Sequence, residues 1–234
     1  MPKKTIGILG GMGPEATADL FLKIIRATPA RTDQEHIRVL IDNNPAIPDR
    51  TAAILGRGPD PVPLLTRTAR LLEQWGADLI VIPCNTAHYF HDQVQASVHV
   101  PVLHIMKETA AFLRERYPGL SAVGVLATTG TVRTGLYQRF LGERGLHALV
   151  PDDEGQQEVM DCIYGEHGVK AGHTGPEVTE RLVRVAQSLV ARGAGAVIAG
   201  CTELPIVLHD GDLPVPVIDP TRILAEAAVR AALE

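Results

Sequence analysis

The sequence has few cysteines, no excess of basic charge and no long hydrophobic run, and each of these features excludes a class of protein. Three cysteines in 234 residues are too few, and odd in number, for a disulfide framework, and no two are spaced as a zinc-binding pair. The formal net charge of −5, with acids and bases interleaved, does not favour nucleic acid or an anionic membrane as a partner. No apolar run reaches the length of a membrane span, and the N-terminus is not typical of a leader. These features predict a soluble cytoplasmic protein with free thiols and a small-molecule ligand.

Short apolar runs rich in β-branched residues alternate along the chain with longer amphipathic segments. Such a rhythm predicts buried parallel strands connected by helices, and therefore an α/β fold. One helix is predicted to begin at Pro14 and another to run from Pro176 to Gly193, because proline favours the first turn and glycine the end of a helix. The segment 43–61 is dense in proline, glycine and aspartate and predicts a long surface loop of the kind that often carries ligand contacts. The apolar runs are IGILG, IRVLID, DLIVIP, VPVLHI, AVGVLA, HALVP, AVIAG and VPVIDP.

An internal repeat relates the two halves of the chain. GADLIVIPCNTAH at 76–88 resembles GAGAVIAGCTELP at 193–205, and IGILG at 6–10 resembles VGVLA at 123–127, both at an offset of 117. VPVLHI at 100 matches VPVIDP at 215, at an offset of 115. Three ordered matches at nearly one spacing predict two similar α/β lobes with parallel sheets, related by a pseudo-twofold axis. The predicted first lobe comprises 1–104 plus 210–234, and the second comprises 105–209.

Two of the three cysteines occupy equivalent positions in this repeat. Cys84 and Cys201 each come directly after a predicted buried strand, where an open parallel sheet presents its ligands. Short polar residues follow each of them, so a helix N-terminus is expected to lie nearby and to lower the pKa of the thiol. Cys162 has no counterpart and is expected to be an inert core residue. Lobes facing each other about a twofold axis would direct Cys84 and Cys201 into one site between them.

Two thiols on opposite sides of one molecule suit the inversion of a stereocentre. A thiolate removes the Cα proton from one face, and a thiol returns a proton to the other. A thiolate is a weak base for so weak a carbon acid, because the pKa values of the thiol and of the Cα–H group differ by about ten units. This difference, equivalent to about 14 kcal/mol, must be offset. Backbone N–H groups at glycine-rich turns, cations on the substrate carboxylates and exclusion of water could supply that stabilisation.

Several motifs resemble the aspartate/glutamate racemase family, and most closely its PLP-independent aspartate racemase branch. The match is ordered along nearly the whole chain, and CNTAH paired with GCTELP is its most specific part. The resemblance implies two flavodoxin-like lobes, an active site between them, a homodimer, and interconversion of L- and D-aspartate without a cofactor. The motifs are GILGGMGPEAT, NNPAIPDRT, PCNTAH, ATTGT, VKAG and GCTELP.

The resemblance also implies roles for individual residues. Cys84 and Cys201 would be the acid and base, with Cys84 acting on the D-isomer and Cys201 on the L-isomer. Some relatives replace one of these cysteines with threonine, and this chain keeps both. Arg50 and Lys170 would hold the substrate carboxylates. The remaining implied substrate contacts are Asn85, Thr86 and Thr202 beside the cysteines, and Met12, Asn43, Thr128, Thr129 and Glu203 at other motif positions.

Arg50, Lys170 and His88 each have an alternative role. On sequence alone Arg50 could be a solvated loop charge, and Lys170 could lie in a lid or simply on the surface. His88, four residues after Cys84, could tune the thiol or pack within the fold. The other histidines, such as His91, His104 and His209, show no ligand spacing, and a zinc site formed by Cys84, His88 and Cys201 is an alternative that is disfavoured.

Alternative functions stay open for the chain as a whole. Hydantoin racemases, maleate isomerases and arylmalonate decarboxylases are similar relatives with other substrates. Decarboxylation resembles a single-cysteine arrangement, so the paired cysteines of this chain favour proton inversion. A non-catalytic two-lobe protein that binds a dicarboxylate is a further possibility. Dinucleotide binding is disfavoured, because the turn at 10–13 is not G-x-G-x-x-G and Asp42 comes too late to contact a ribose.

Overall fold

The computed structural model describes residues 3–234, which divide into two compact units. One unit comprises the residues up to Glu108 together with Thr221–Glu234, and the other comprises Thr109–Pro220. Each contains its own sheet, and every strand pairing in both sheets is parallel. The predicted α/β class and the two parallel sheets are thereby confirmed.

Seven strands and ten α-helices are found within residues 3–234. The strands are β1 (Ile6–Gly10), β2 (Val39–Asn43), β3 (Leu79–Val81), β4 (Ala122–Leu126), β5 (His147–Leu149), β6 (Val197–Ala199) and β7 (Val217–Ile218). The helices are α1 (Pro14–Ala27), α2 (Arg50–Ile54), α3 (Val62–Gln74), α4 (His91–Gln95), α5 (Ile105–Arg116), α6 (Thr129–Arg133), α7 (Leu136–Gly142), α8 (Asp153–Tyr164), α9 (Pro176–Ala191) and α10 (Pro220–Leu233). Over this described part of the chain, no helix combines the length and apolar character needed to cross a membrane.

The first unit is built around β1, whose five residues are all buried. β1 lies between β2 and β3 in the order β2-β1-β3. A single parallel bridge between Ile80 and Val102 extends the sheet beyond β3. Helix α1 begins at Pro14, as predicted, and buries one face that includes Leu20 and Ile24, which is the pattern of an amphipathic helix packed on a sheet.

The second unit repeats this order as β5-β4-β6, with β7 added beside β6. The predicted helix after Pro176 is α9. Two predicted boundaries are wrong. Residues 105–108, assigned above to the second lobe, belong to the first unit, and segment 210–220, assigned above to the first lobe, belongs to the second unit. The reason for the second difference is the backbone ladder, since Val217–Ile218 pairs with Val197–Ile198, and only the chain from Thr221 onward contributes to the first unit.

The register of the two sheets reproduces the offset seen in the sequence. Gly7 of β1 pairs with Ile80 of β3, and Gly124 of β4 pairs with Val197 of β6; both members of the pair are shifted by 117. The bridge between Ile80 and Val102 corresponds to the pairing of Val197 with Val217, at the predicted offset of 115. The sequence repeat is therefore a repeat of strand register.

A close approach between a helix and the central strand is also repeated. A Cβ built on Gly7 would lie 2.9 Å from Ala77 Cβ and 3.4 Å from Leu72 Cβ. A Cβ on Gly124 would lie 3.1 Å from Leu189 Cδ1, and Leu189 is the residue 117 positions after Leu72. Each glycine thus allows a leucine of α3 or α9 to pack directly on its strand.

We expect Gly7→Ala to lower the free energy of unfolding by about 1 to 3 kcal/mol, because the added methyl group overpacks a tight contact. Gly124→Ala should cost less, since the atom it meets first is the end of a leucine side chain. Urea unfolding measures both. Gly142→Ala is the control, because Gly142 lies at the exposed end of α7 with nothing within 4 Å of an added Cβ. Equal destabilisation by all three substitutions would contradict this account.

Candidate active site

The first unit places Cys84 just beyond the carboxyl end of β3. Cys84 is 5% exposed, and Asn85 and Thr86 beside it are also buried. The helix that follows is a 3-10 helix of five residues, Thr86–Phe90. The predicted helix N-terminus near this sulfur is therefore a short 3-10 turn rather than the start of a long α-helix.

The predicted surface loop 43–61 contains a buried cation. Arg50 is 7% exposed and begins α2, whose N-cap is Asp49. The Arg50 guanidinium donates to the carbonyl oxygens of Pro48 at 2.9 Å, Ile47 at 3.2 Å and Met12 at 3.5 Å. Its interpretation as a solvated loop charge is wrong, because these carbonyl groups hold it beside the turn that follows β1. The Met12–Gly13 peptide bond in that turn is cis.

The glycine-rich turn after β1 is closely packed. Gly11 has φ +98, and a Cβ there would lie 2.3 Å from the backbone of Asn44. The Gly11 N–H donates to Thr17 Oγ1 at 2.9 Å, so this amide is already used within the fold. Met12 is buried and Asn43 is exposed at the end of β2; both lie at the edge of the sheet that carries Cys84.

In the second unit Cys201 lies just beyond the carboxyl end of β6, next to an ion pair. The Cys201 thiol donates to Glu203 Oε2 at 2.9 Å, and the Thr202 hydroxyl donates to the same oxygen at 3.3 Å. The Lys170 ammonium group donates to Glu203 Oε1 and lies 5.5 Å from the centre of the Tyr164 ring. The structure thus brings together four predicted site residues of this unit: Lys170, Cys201, Thr202 and Glu203.

The predicted lowering of the thiol pKa is wrong for Cys201. Burial, with the Glu203 carboxylate as the next cause, raises the pKa of this thiol well above its usual value, and Lys170 opposes the rise only in part. Only a three-residue 3-10 helix, Leu204–Ile206, follows Cys201, and so short a helix has a small dipole. The thiol is therefore the form of Cys201 that this environment favours.

Thr128 and Thr129 follow β4 at the edge of the sheet that also carries Cys201. Thr128 is the N-cap of α6, and its hydroxyl accepts from the Thr131 N–H at 3.3 Å. The Thr129 hydroxyl accepts from Gln156 Nε2 at 3.4 Å, and the Thr129 N–H contacts Met160 Sδ at 3.2 Å. Both threonines already have hydrogen-bonding roles within the second unit.

Three buried histidines lie behind Cys84 in the first unit. The Ile105 N–H donates to His88 Nε2 at 3.2 Å, so Nδ1 carries the proton and donates to the Cys84 carbonyl oxygen at 2.9 Å. The ring centroids of His88 and His104 are 4.9 Å apart, and those of His91 and His104 are 4.7 Å apart. Because the backbone occupies both nitrogens of His88, this histidine packs and positions the Cys84 turn and is not free to ligate a metal.

Two features of the site were not predicted from the sequence. One is the direct contact between Glu203 and the Cys201 thiol. The other is Tyr137, which is buried close to Cys201, with its pKa raised by burial. No motif marks Tyr137, because its position depends on how α7 packs in the fold, which places the ring against Gly200, directly before Cys201. Within residues 3–234, no cluster of His, Cys, Asp and Glu forms a group that could hold a metal ion.

Comparison with known proteins identifies the class of protein to which this chain, with a cysteine at the edge of each sheet, belongs. Residues 9–228 match the family described as Asp/Glu/Hydantoin racemase. The chain belongs to this family, as the sequence motifs indicated, and family membership supports racemase activity on an amino acid.

Particular relatives match along nearly the whole chain. The broad specificity amino-acid racemase RacX of Bacillus subtilis is 30% identical over 231 residues, which cover 96% of each chain. The structure of an aspartate racemase from Picrophilus torridus superposes with a TM-score of 0.86 and 32% identity, covering 98% of this chain and 94% of that one. A glutamate racemase from Francisella tularensis in complex with D-glutamate has a TM-score of 0.74 at 18% identity, covering 100% of this chain and 82% of that one, and shows that the fold is shared.

We expect acid to destabilise the protein through His88. Burial lowers the pKa of His88 to about 4 from an ordinary value of 6.5. Since the unfolded chain binds this proton below pH 6.5 and the folded chain does not until about pH 4, stability falls as the pH decreases through that window, by about 3 kcal/mol for this group.

Urea unfolding at several pH values from 7 to 4 tests this expectation. The decline in stability should be shallower in His88→Gln than in the native chain. His147, exposed on β5, provides the control, since His147→Gln should keep the native pH dependence. The same pH dependence in all three proteins would show that His88 does not contribute.

Proposed function

We propose that the chain is a PLP-independent racemase that interconverts L- and D-aspartate, with Cys84 and Cys201 as a two-base pair at Cα. One thiolate removes the Cα proton and the other thiol protonates the opposite face of the carbanion, so the configuration inverts. The proposal retains the homodimer and the cytoplasmic location that the family resemblance implies.

The observation that carries the proposal is the equivalence of the two cysteines. Each comes directly after the strand that pairs with the central glycine-bearing strand of its sheet, in the same register. Both are nearly buried, at 5% and 6% exposed, as an acid–base group shielded from water requires. Cys162, by contrast, lies within α8 rather than beyond the end of a strand and is 0% exposed, which fits an inert thiol.

The choice of a dicarboxylate is supported by the two cations of the motif set. Arg50 is held by backbone carbonyls that fix its guanidinium in place, and a planar guanidinium binds carboxylates through two parallel hydrogen bonds. Lys170 already binds a carboxylate, that of Glu203. We assign one substrate carboxylate to each cation, with Asn85, Thr86 and Thr202 as neighbouring polar contacts. Met12, Asn43, Thr128 and Thr129 complete the proposed substrate site.

Incubation of L-aspartate and D-aspartate in deuterated water, without pyridoxal phosphate, tests the reaction itself. We expect loss of optical activity together with deuterium at Cα from either enantiomer. Cys84→Ala and Cys201→Ala should each lower the rate of inversion by about 10² to 10⁴, because each removes one of the two proton-transfer groups. Cys162→Ala is the matched control and should keep most of the activity.

Two outcomes would favour other functions. Saturable binding of aspartate with no exchange at Cα would identify a dicarboxylate-binding protein. Exchange and inversion of neutral amino acids or hydantoins at rates above that of aspartate would assign a different substrate within the same family.

Arg50→Lys tests the carboxylate contact without removing the charge. We expect the KM for aspartate to rise by about tenfold or more, because lysine cannot reproduce the guanidinium fork. Arg57→Lys, on an exposed residue seven positions further along the chain, should leave KM unchanged. Steady-state kinetics with chiral product analysis measures both, and an unchanged KM in Arg50→Lys would remove Arg50 from the substrate site.

A further inference from the structure

The two halves of the repeat differ in the residue two positions after each cysteine. The offset of 117 that relates Cys84 to Cys201 also relates Thr86 to Glu203, so a hydroxyl group in the first unit corresponds to a carboxyl group in the second. Glu203 is 3% exposed. Burying a carboxylate is costly unless it is paired, and this one is paired with both a thiol and an ammonium group.

The two oxygens of Glu203 have different partners. Oε2 accepts the Cys201 S–H at 2.9 Å and the Thr202 O–H at 3.3 Å, whereas Oε1 accepts from the Lys170 ammonium group. One proton can therefore lie on sulfur, with the negative charge on the carboxylate, or on the carboxyl group, with the negative charge on sulfur. The net charge of the pair is the same in both arrangements. Lys170, next to Oε1, favours the first, because it stabilises the carboxylate directly.

We propose that Glu203 takes the proton of Cys201 when a substrate carboxylate draws Lys170 away from it, so that binding of the substrate creates the thiolate. The inference rests on the proposed function, in which Lys170 holds a substrate carboxylate. A substrate carboxylate offers Lys170 the same chemistry as Glu203 does, and it competes for the same ammonium group.

The proton balance of this step closes over one turnover. Cys201–SH and the Glu203 carboxylate become Cys201–S⁻ and the Glu203 carboxylic acid. The thiolate takes the Cα proton, and Cys84–SH gives its proton to the opposite face, leaving Cys84–S⁻. When the product leaves, Lys170 returns to Glu203, which releases its proton to water, and Cys84–S⁻ takes one from water.

The resting structure agrees with the first half of this cycle. Burial and the Glu203 carboxylate hold the pKa of Cys201 well above its usual value, so Cys201 rests as a thiol. Cys201 and Glu203 are fixed directly behind β6 and are almost fully buried. The Lys170 side chain, by contrast, is 22% exposed and reaches Glu203 from the short 3-10 helix Val169–Ala171.

The full chain carrying Cys84→Ala and Cys162→Ala retains Cys201 as its one thiol, so the ultraviolet absorbance of a thiolate reports on this residue alone. We expect saturating L-aspartate, judged from the KM of the native chain, to raise the ratio of thiolate to thiol by about tenfold, equivalent to one pKa unit. In this background Glu203→Gln should abolish the response, and Glu203→Asp should restore part of it.

Lys170→Met gives the sharpest test, because two explanations predict opposite results. The ammonium charge of Lys170 by itself lowers the pKa of Cys201, so if this direct effect dominates, the loss of Lys170 would lower the thiolate fraction. If Lys170 acts through Glu203, its loss should raise that fraction before any aspartate is added and remove the response to aspartate. Lys23→Met is the control: it breaks a pair with Asp19 at 2.5 Å in the other unit and should change neither value. This arm does not depend on the folding of Glu203→Gln.

A lower thiolate fraction in Lys170→Met, or an unchanged fraction at saturating L-aspartate, would overturn the inference. Either result leaves the proposed function standing as long as the native chain deuterates aspartate at Cα. Absence of that deuteration would contradict the proposed function, and the inference that rests on it would fall as well.

Discussion

Strand register is the constraint on which the rest of this structure depends. In each sheet a glycine of the central strand pairs with the strand that leads to a cysteine, and the same pairs recur 117 residues later. Because a shift of one residue along a strand would turn every side chain to the other face, this register decides where each cysteine lies relative to the central strand of its sheet. The tight packing of Leu72 and Leu189 on Gly7 and Gly124 fixes the helix that covers each sheet, and so supports the register from one side.

The backbone of the two halves follows the repeat closely, whereas the charged residues around the two cysteines differ. Behind Cys84 the chain places His88, whose neutral ring is held by two backbone hydrogen bonds. Beside Cys201 it places Glu203 and Lys170. Two thiols in equivalent positions therefore have different electrostatic surroundings.

Much of this arrangement could be predicted from the sequence, because it depends on local patterns. Apolar runs and proline positions identified the strands and the helices that begin at Pro14 and Pro176, and the repeat identified which cysteines are equivalent. The burial of Arg50 could not be predicted, since it depends on carbonyl groups of the turn after β1. The raised pKa of Cys201 was missed for a similar reason: the sequence shows a polar residue after each cysteine but not how deeply it is buried.

The pairing of Lys170 with Glu203 also bears on substrate selection. Without a ligand, both charges in this part of the second unit are compensated, so a molecule that binds Lys170 must replace the Glu203 carboxylate with another anion. A neutral side chain cannot do so, and its binding would leave the ion pair in place with Cys201 as a thiol. In the proposed mechanism, a carboxylate that reaches Lys170 would both bind and alter the proton distribution around Cys201. Selectivity for an acidic substrate would then arise in the proton-transfer step as well as in binding, where it contributes directly to the rate.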